Sequence, residues 1–588
     1  MDSLLMKYLF LHILSLVIFN CSTLPKPSPP TNPKIGDTFY AKEMATWRIS
    51  SFKKDLNLQG IAVGLVEKNL PIFEKLEGKA DSKNQLNENT KFYIGSVSKL
   101  FTAILILKLA EEKKIQLDKP ITDYLQNLKL IPRYSTDKLP TVKQMLFHHS
   151  GIPSDQFHGF LLPENSEEIQ KKEFLNLAES EIYMADSPEK VMSYSNLSYS
   201  LLGALIEKLS GMSLEEYTKK TILTPLGMNN TSFYTQKENV SSGFKGSKNK
   251  EPMRLRDLAA GSITSTLNDM LKLVSLFINE DKVLSKDSFA LMQKKQNSTP
   301  YDFDYRIGLP FWFSSHPQDP ILHLGHGGDV PPFHAYLGFL PKEKMGIVVM
   351  TNTESSSLKL EELGSQILGD FYEAKTLHKP YAINKKSKLV TKTKQELQKW
   401  EGKYLTSNGW MHVKAEENRL STDQPIYFYP TETEDFAFKL RLFFGLVPLN
   451  LSLFDDLKVR FTKGKKGESI MGWKAIEKLY ILYGSTEEVL PVSEIWKKRV
   501  GKYEILNKEA NPTLNNFSIE YSSSDNLLYL NSEMQMVGSV PFRSSLFIST
   551  DNLGYLGTLG RNQGFAVVAK IQNGEEILEF SGYKLKKK

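Results

Sequence analysis

Phe92-Tyr93-Ile94-Gly95-Ser96-Val97-Ser98-Lys99-Leu100-Phe101-Thr102-Ala103 is the stretch on which the reading of this chain turns. A serine stands three residues before a lysine at the mouth of an apolar run. Residues i and i+3 share one helix face, so the Lys99 amine can reach the Ser96 hydroxyl. A helix N-terminus adds partial positive charge and free N–H groups where an oxyanion would form. Leu100, Ala103, Ile104, Leu107 and Ala110 recur at helical spacing, and the run closes at Glu111-Glu112-Lys113-Lys114. Upstream, Ile61-Ala62-Val63-Gly64-Leu65-Val66 reads as a buried strand. Alone, the Ser-x-x-Lys spacing is equally an N-cap serine followed by a solvated lysine.

Two further motifs change that balance. Tyr194-Ser195-Asn196 lies in a polar loop that runs into the apolar helix of residues 201–209. A phenol and a carboxamide two residues apart can face one cleft. The phenol can relay a proton if nearby cations lower its pKa. The carboxamide can both donate and accept. His326-Gly327-Gly328 precedes two strand-like runs, residues 336–341 and 346–352. A histidine followed by two glycines on a strand edge leaves open backbone for a substrate to pair with. His323 and His326 lack a third ligand at convincing spacing, and the His-Glu-x-x-His pattern is absent, so neither a metal nor another cofactor is expected.

The supporting stretches complete a pattern. Leu146-Phe147-His148-His149-Ser150-Gly151-Ile152-Pro153, Pro225-Leu226-Gly227-Met228, and Ala260-Gly261-Ser262-Ile263-Thr264-Ser265-Thr266 with Asp269 follow one another in order. With the three motifs above, the chain resembles the beta-lactamase-related serine hydrolases over residues 39–370. That family includes class C beta-lactamases, D,D-carboxypeptidases, D-amino-acid peptidases and esterases. The resemblance implies an α+β domain with a beta-lactamase/transpeptidase-like fold, an antiparallel sheet flanked by helices plus an all-helical lobe. It implies Ser96 as the acylated nucleophile, with Lys99 and Tyr194 sharing the proton transfers; which of the two is the base stays open. It implies Asn196, His326, Gly327 and Gly328 as substrate-binding residues, and the backbone N–H groups of Ser96 and Asp329 as the oxyanion hole.

One departure bears on substrate. His326 stands where the lactamases carry the lysine of Lys-Thr-Gly. Histidine is only partly charged at neutral pH, whereas lysine is nearly always charged. A site for beta-lactam carboxylates gains from the fixed charge, so the peptidase and esterase branches are the nearer likeness. A second departure is the bulky Pro331-Pro332-Phe333-His334, which is expected to narrow the cleft.

The ends of the chain carry separate signals. Its 588 residues exceed one ordinary core. A mostly apolar run over residues 8–19 has the length of a secretory segment rather than a membrane span. The single cysteine, Cys21, follows at once. Residues 1–21 therefore resemble a bacterial lipoprotein signal with Cys21 as the lipidated residue, and residues 22–38 a Pro-rich tether. A signal anchor with an incidental cysteine is the alternative. An exported, lipid-anchored bacterial protein is expected, periplasmic or surface-facing, with a small-molecule, peptide or ester substrate. Membrane contact runs through the anchor, and cell-wall contact stays open. The net charge of +7 is modest, and no nucleic-acid motif is present.

The hydrolase domain is expected over residues 39–373 and a Lys-rich linker over 374–393. Beyond it, short alternating strands are punctuated by Gly, Asn and aromatics. Trp400 with Gly402-Lys403-Tyr404 and Trp496 with Gly501-Lys502-Tyr503 form a weak repeat. Two lipocalin-like barrels, residues 394–492 and 493–588, or one irregular β domain, fit this pattern equally. Three functions stand: an active amide or ester hydrolase, a penicillin-binding-like protein with little turnover, and a true beta-lactamase. The first is preferred.

Overall fold

The protein is described by a computed structural model over residues 25–588, apart from 163–173, 234–237, 281, 297–298, 304–305, 315–320, 380–386, 443–446, 450–456, 477–478, 487–489, 509–511, 536–538 and 558. The proposed signal and Cys21 lie outside the described residues. No helix among the described residues is long and apolar enough to cross a membrane.

An antiparallel six-stranded sheet organises the first domain, in the order Trp312–Phe313, Leu324–Val330, Phe333–Leu340, Met345–Thr351, Gly60–Glu67, Leu70–Gly78. The strand read from Ile61 to Val66 is real and lies next to the edge strand of this sheet, paired on both sides. Its side chains alternate between two cores. Ile61, Val63 and Leu65 pack under the helices Phe39–Asp55 and Ser357–Thr376. Ala62 and Val66 face the other way, where the helix Leu267–Asn279 covers the sheet. An ion pair of Arg48 with Asp370, 2.6 Å, ties the two outer helices together.

The helical lobe grows from the helix Ser98–Glu111, preceded by a single 3-10 turn, Gly95–Val97. Every residue of this helix from Ser98 to Leu107 is buried. It is apolar all round because it is the axis of the lobe, which is why its spacing alone could not show a solvent face. The helix Asn196–Ser210 packs beside it. Ser195 caps that helix, its hydroxyl accepting from the Ser198 N–H, and Gly211 ends it in the left-handed region.

Beyond residue 400 the repeat is structural, and two barrels are present rather than one irregular β domain. In the first, strands run from Gly402–Thr406 to Leu479–Ser485, and those two pair with each other. A further pairing of Ile426–Pro430 with Asp435–Leu442 completes the ring of eight, with Val447–Leu449 added outside it. The second is a closed barrel of eight antiparallel strands from Gly501–Ile505 to Tyr583–Lys587. Both interiors hold packed side chains, Tyr404, Met411, Phe428 and Phe461 in one and Trp496, Tyr503, Phe517 and Phe580 in the other.

Candidate active site

The sheet edge, the start of the buried helix and the loop before Asn196 converge on one cleft. Gly95 turns the chain into the helix with φ +52°, and a Cβ there would come within 2.5 Å of Asp329 N. On the facing strand a Cβ on Gly328 would overlap Ile94 O and come within 3.0 Å of Ser96 N. Two glycines thus let the two backbones touch, bringing the N–H groups of Ser96 and Asp329 close together. Among the described residues, the outer strand Trp312–Phe313 pairs with Gly325 and Leu324 and leaves the edge from His326 onward open.

Lys99 is wholly buried and points its amine at three acceptors. They are Ser96 Oγ at 3.2 Å, Asn196 Oδ1 at 2.7 Å and Ala260 O at 2.8 Å. Burial lowers its pKa well below the ordinary lysine value, and the Arg561 charge lowers it further, against Asp155 and Asp257. A neutral amine here would donate to Asn196 and Ala260 and leave its lone pair on the Ser96 hydroxyl. The Tyr194 ring lies 4.8 Å from Lys99 Nζ. Burial pushes the Tyr194 phenol above its usual value, more than a hydrogen bond with Ser96 and the Arg561 charge pull it down. The expected lowering of this phenol by cations is therefore overridden by desolvation, and it stays a neutral donor.

Asn196 begins its helix, its backbone N–H donating to Ser154 O at 2.8 Å. Its amide nitrogen donates to Asp155 Oδ1 at 2.8 Å while its oxygen faces Lys99. That leaves one amide N–H for a substrate.

His326 is buried, and its Nδ1 lies 2.6 Å from Gly327 O. A carbonyl only accepts, so Nδ1 carries the proton and Nε2 is an acceptor. That Nε2 is buried without a partner among the described residues. Burial, the largest cause, lowers the His326 pKa to about 3, so the ring is neutral rather than partly charged as its residue type suggests. The bulky stretch after it turns inward. Phe333 packs on Tyr93 at 4.9 Å, and His334 Nδ1 meets Asp329 Oδ1 at 2.5 Å. Burial would raise the Asp329 carboxyl, but His334 and Ser357 hold it below its usual value.

Three nearby side chains were not singled out in sequence. Asp155 orients Asn196. His148 accepts the Ser195 N–H at 3.2 Å through Nδ1 and packs on Tyr194 at 4.2 Å. Arg561 comes from the second barrel and lies over the Tyr194 ring at 4.7 Å. The first two sit in or beside quoted motifs; Arg561 has no local signal.

Among proteins of known sequence, the chain is 27% identical over 332 residues to "Putative penicillin-binding protein PbpX" of Bacillus subtilis (strain 168), covering 54% of this chain and 77% of that one. It is 27% identical over 303 residues to "Protein flp" of Staphylococcus aureus (strain NCTC 8325 / PS 47), covering 49% of this chain and 58% of that one. Among solved structures, the octameric penicillin-binding protein homologue from Pyrococcus abyssi aligns at 22% identity with TM-score 0.49, covering 75% of this chain and 99% of that one. The beta-lactamase family model matches residues 48–367, more than half of the chain. On that match, the chain belongs to the beta-lactamase family.

Proposed function

We propose that this protein is a serine hydrolase that cleaves an amide or ester through an acyl-enzyme on Ser96. The observation that carries this reading is the 3.2 Å contact of Ser96 Oγ with a fully buried lysine whose charge is disfavoured. Neutral Lys99 takes the Ser96 proton as Oγ bonds to the substrate carbonyl carbon. The Ser96 and Asp329 N–H groups hold the oxyanion. When the bond to the leaving group breaks, the proton passes from Lys99 through the neutral Tyr194 phenol to the departing oxygen or nitrogen. Water then enters and reverses the sequence, releasing the acid. Of the two candidate bases, the geometry and desolvation favour Lys99, because a raised phenol pKa disfavours phenoxide.

Neutral His326 argues against a beta-lactamase built around a charge at that position. It supports the peptidase or esterase reading. The sequence signal supports an exported protein anchored through lipidated Cys21. Intact-mass spectrometry with a fluorophosphonate tests the reaction. An adduct on the wild type that is absent from Ser96→Ala is expected, and an adduct that persists in Ser96→Ala overturns it. Fractionation tests the anchor: Cys21→Ala is expected to leave the membrane fraction, and retention there overturns it.

A further inference from the structure

The second barrel docks on the hydrolase domain beside the cleft. Phe157 N–H donates to Ser581 Oγ at 2.9 Å, and His158 N–H donates to Ser581 O at 3.1 Å. Phe157 packs on Phe565 with the ring centroids 5.1 Å apart. The loop joining the strands Leu553–Leu556 and Ala566–Gln572 has buried feet and an exposed crest. Leu559 is buried with Val191, Tyr301 and Phe303, and Gly564 lies against Ala185. At the crest, Asn562 exchanges two hydrogen bonds with Ser154. Its N–H donates to Ser154 Oγ at 3.1 Å, and its Oδ1 accepts from the same hydroxyl at 3.1 Å. Ser154 is the residue whose carbonyl receives the Asn196 N–H. One residue therefore fixes both the barrel loop and the start of the Asn196 helix.

Arg561 is next to that anchor. Its guanidinium and the Lys99 amine lie at 4.7 and 4.8 Å from the same Tyr194 ring. The other ionisable groups that face it differ in kind. Asp155 is tied to Asn196, and Asp329 is tied to His334 and Ser357. Among the described residues, no carboxylate forms an ion pair with Arg561, and the residue is exposed although its guanidinium lies over the buried Tyr194 ring. A guanidinium lying over an aromatic ring on a clamped loop, with its N–H donors unmatched among the described residues, is arranged for an oxyacid. Tyr194 is the group proposed to protonate the leaving group, so a cation stacked on Tyr194 lies on the leaving-group side.

We infer that Arg561 is a substrate-binding residue contributed by the last barrel, and that it holds a carboxylate on the leaving group. The barrel thus supplies the fixed positive charge that a neutral His326 does not. This rests on the acyl-enzyme reading above.

The test compares m-carboxyphenyl phenylacetylglycinate with phenyl phenylacetylglycinate, two esters that differ in one carboxylate. For Arg561→Ala, kcat/KM on the carboxylate ester is expected to fall at least about tenfold more than on the neutral ester, the size of one lost charge-assisted contact. Arg561→Lys is expected to restore part of the preference. Equal falls on both esters would mean that Arg561 only positions Tyr194, and a rise on both would mean that it plugs the cleft; either overturns the inference. Calorimetric binding of both esters to Ser96→Ala and to the Ser96→Ala, Arg561→Ala double variant gives a readout that needs no turnover. A preference for the carboxylate ester that vanishes with Arg561 supports the inference, and equal binding by Ser96→Ala sinks it. Failure of the wild type to hydrolyse either ester counts against the acyl-enzyme reading, while the binding preference still decides the role of Arg561.

Discussion

Both barrels open with a capped turn of helix, and in both a tyrosine hydroxyl reaches back to a backbone carbonyl. Thr393 and Ser493 cap the turns. Tyr404 donates to Trp400 O at 2.9 Å, and Tyr503 donates to Arg499 O at 2.7 Å. From the same opening the two diverge. The first barrel meets the beta-lactamase-family domain where Phe303 lies against Gly472 and Tyr301 bonds Glu468. It also joins the second barrel, with the Ser545 N–H donating to Ser407 O at 2.8 Å. The second barrel meets the beta-lactamase-family domain at the cleft and places a cation over Tyr194. Leu559, Ile470, Val191, Tyr301 and Phe303 form one small core shared by all three units. A repeated fold has therefore been put to two uses, and the difference resides in a loop rather than in the barrel strands.

The largest expected effect sets the scale against which either barrel is measured. Ser96→Ala should lower hydrolysis of the neutral ester by about 10^4-fold or more, measured in steady state. Residual activity at a tenth of wild type would remove the chemistry from this cleft. Lys99→Met should lower acylation by about 10^3-fold. In the wild type the rate should rise with pH as Lys99 loses its proton, because only the neutral amine can accept from Ser96. That limb should be absent in Lys99→Met. His326 itself should add no inflection near the ordinary histidine value of about 6.5, because burial lowers its pKa to about 3. An inflection there that disappears in His326→Gln would show the ring to be charged in function. The same depression of Lys99 has a stability sign. Between its folded pKa and the unfolded value of about 10.4, the unfolded chain binds more protons, so stability should rise with pH in that window. Urea midpoints followed against pH should lose this slope in Lys99→Met.

Asp155→Ala should have a smaller effect, about tenfold on kcat, by freeing the Asn196 amide from the orientation it now holds. The Arg561 variant should then alter ester preference without matching that loss on the neutral ester, which separates the barrel contribution from the hydrolase contribution. The smallest effects test the barrel repeat itself. Tyr404→Phe and Tyr503→Phe should each cost about 1 kcal/mol of stability by leaving a backbone carbonyl without its donor. Denaturation midpoints should move alike. If Tyr404→Phe changed ester preference as strongly as Arg561→Ala, the division of labour between the barrels would be wrong.

Much of the cleft was legible in the chain because its parts are local. Ser96 and Lys99 are neighbours on one helix start, Tyr194 and Asn196 flank one cap, and His326 begins a glycine pair in which Gly328 meets the backbone at Ile94 and Gly327 meets the Ser357 side chain. The Gly-Lys-Tyr repeat foreshadowed the barrels, since each marks the same tyrosine-to-carbonyl bond. Three things were not legible. The charge of His326 depends on burial beside Lys99, which residue type does not encode. The bulky Pro331-Pro332-Phe333-His334 stretch goes into the core, because Phe333 finds Tyr93 and His334 finds Asp329. Arg561 sits far along the chain in an ordinary barrel loop.

The helix with its Ser-x-x-Lys start, the buried strand at Ile61, the order of the motifs and the family likeness are all written in the residue order. These are set by side-chain spacing and by chemistry within a few residues. The desolvation of the lysine, the neutrality of the histidine and the cation over Tyr194, from a barrel loop more than two hundred residues downstream of His326, arise only in the folded chain. Electrostatics and interfaces depend on what is brought near through space, and sequence separation carries no record of that distance.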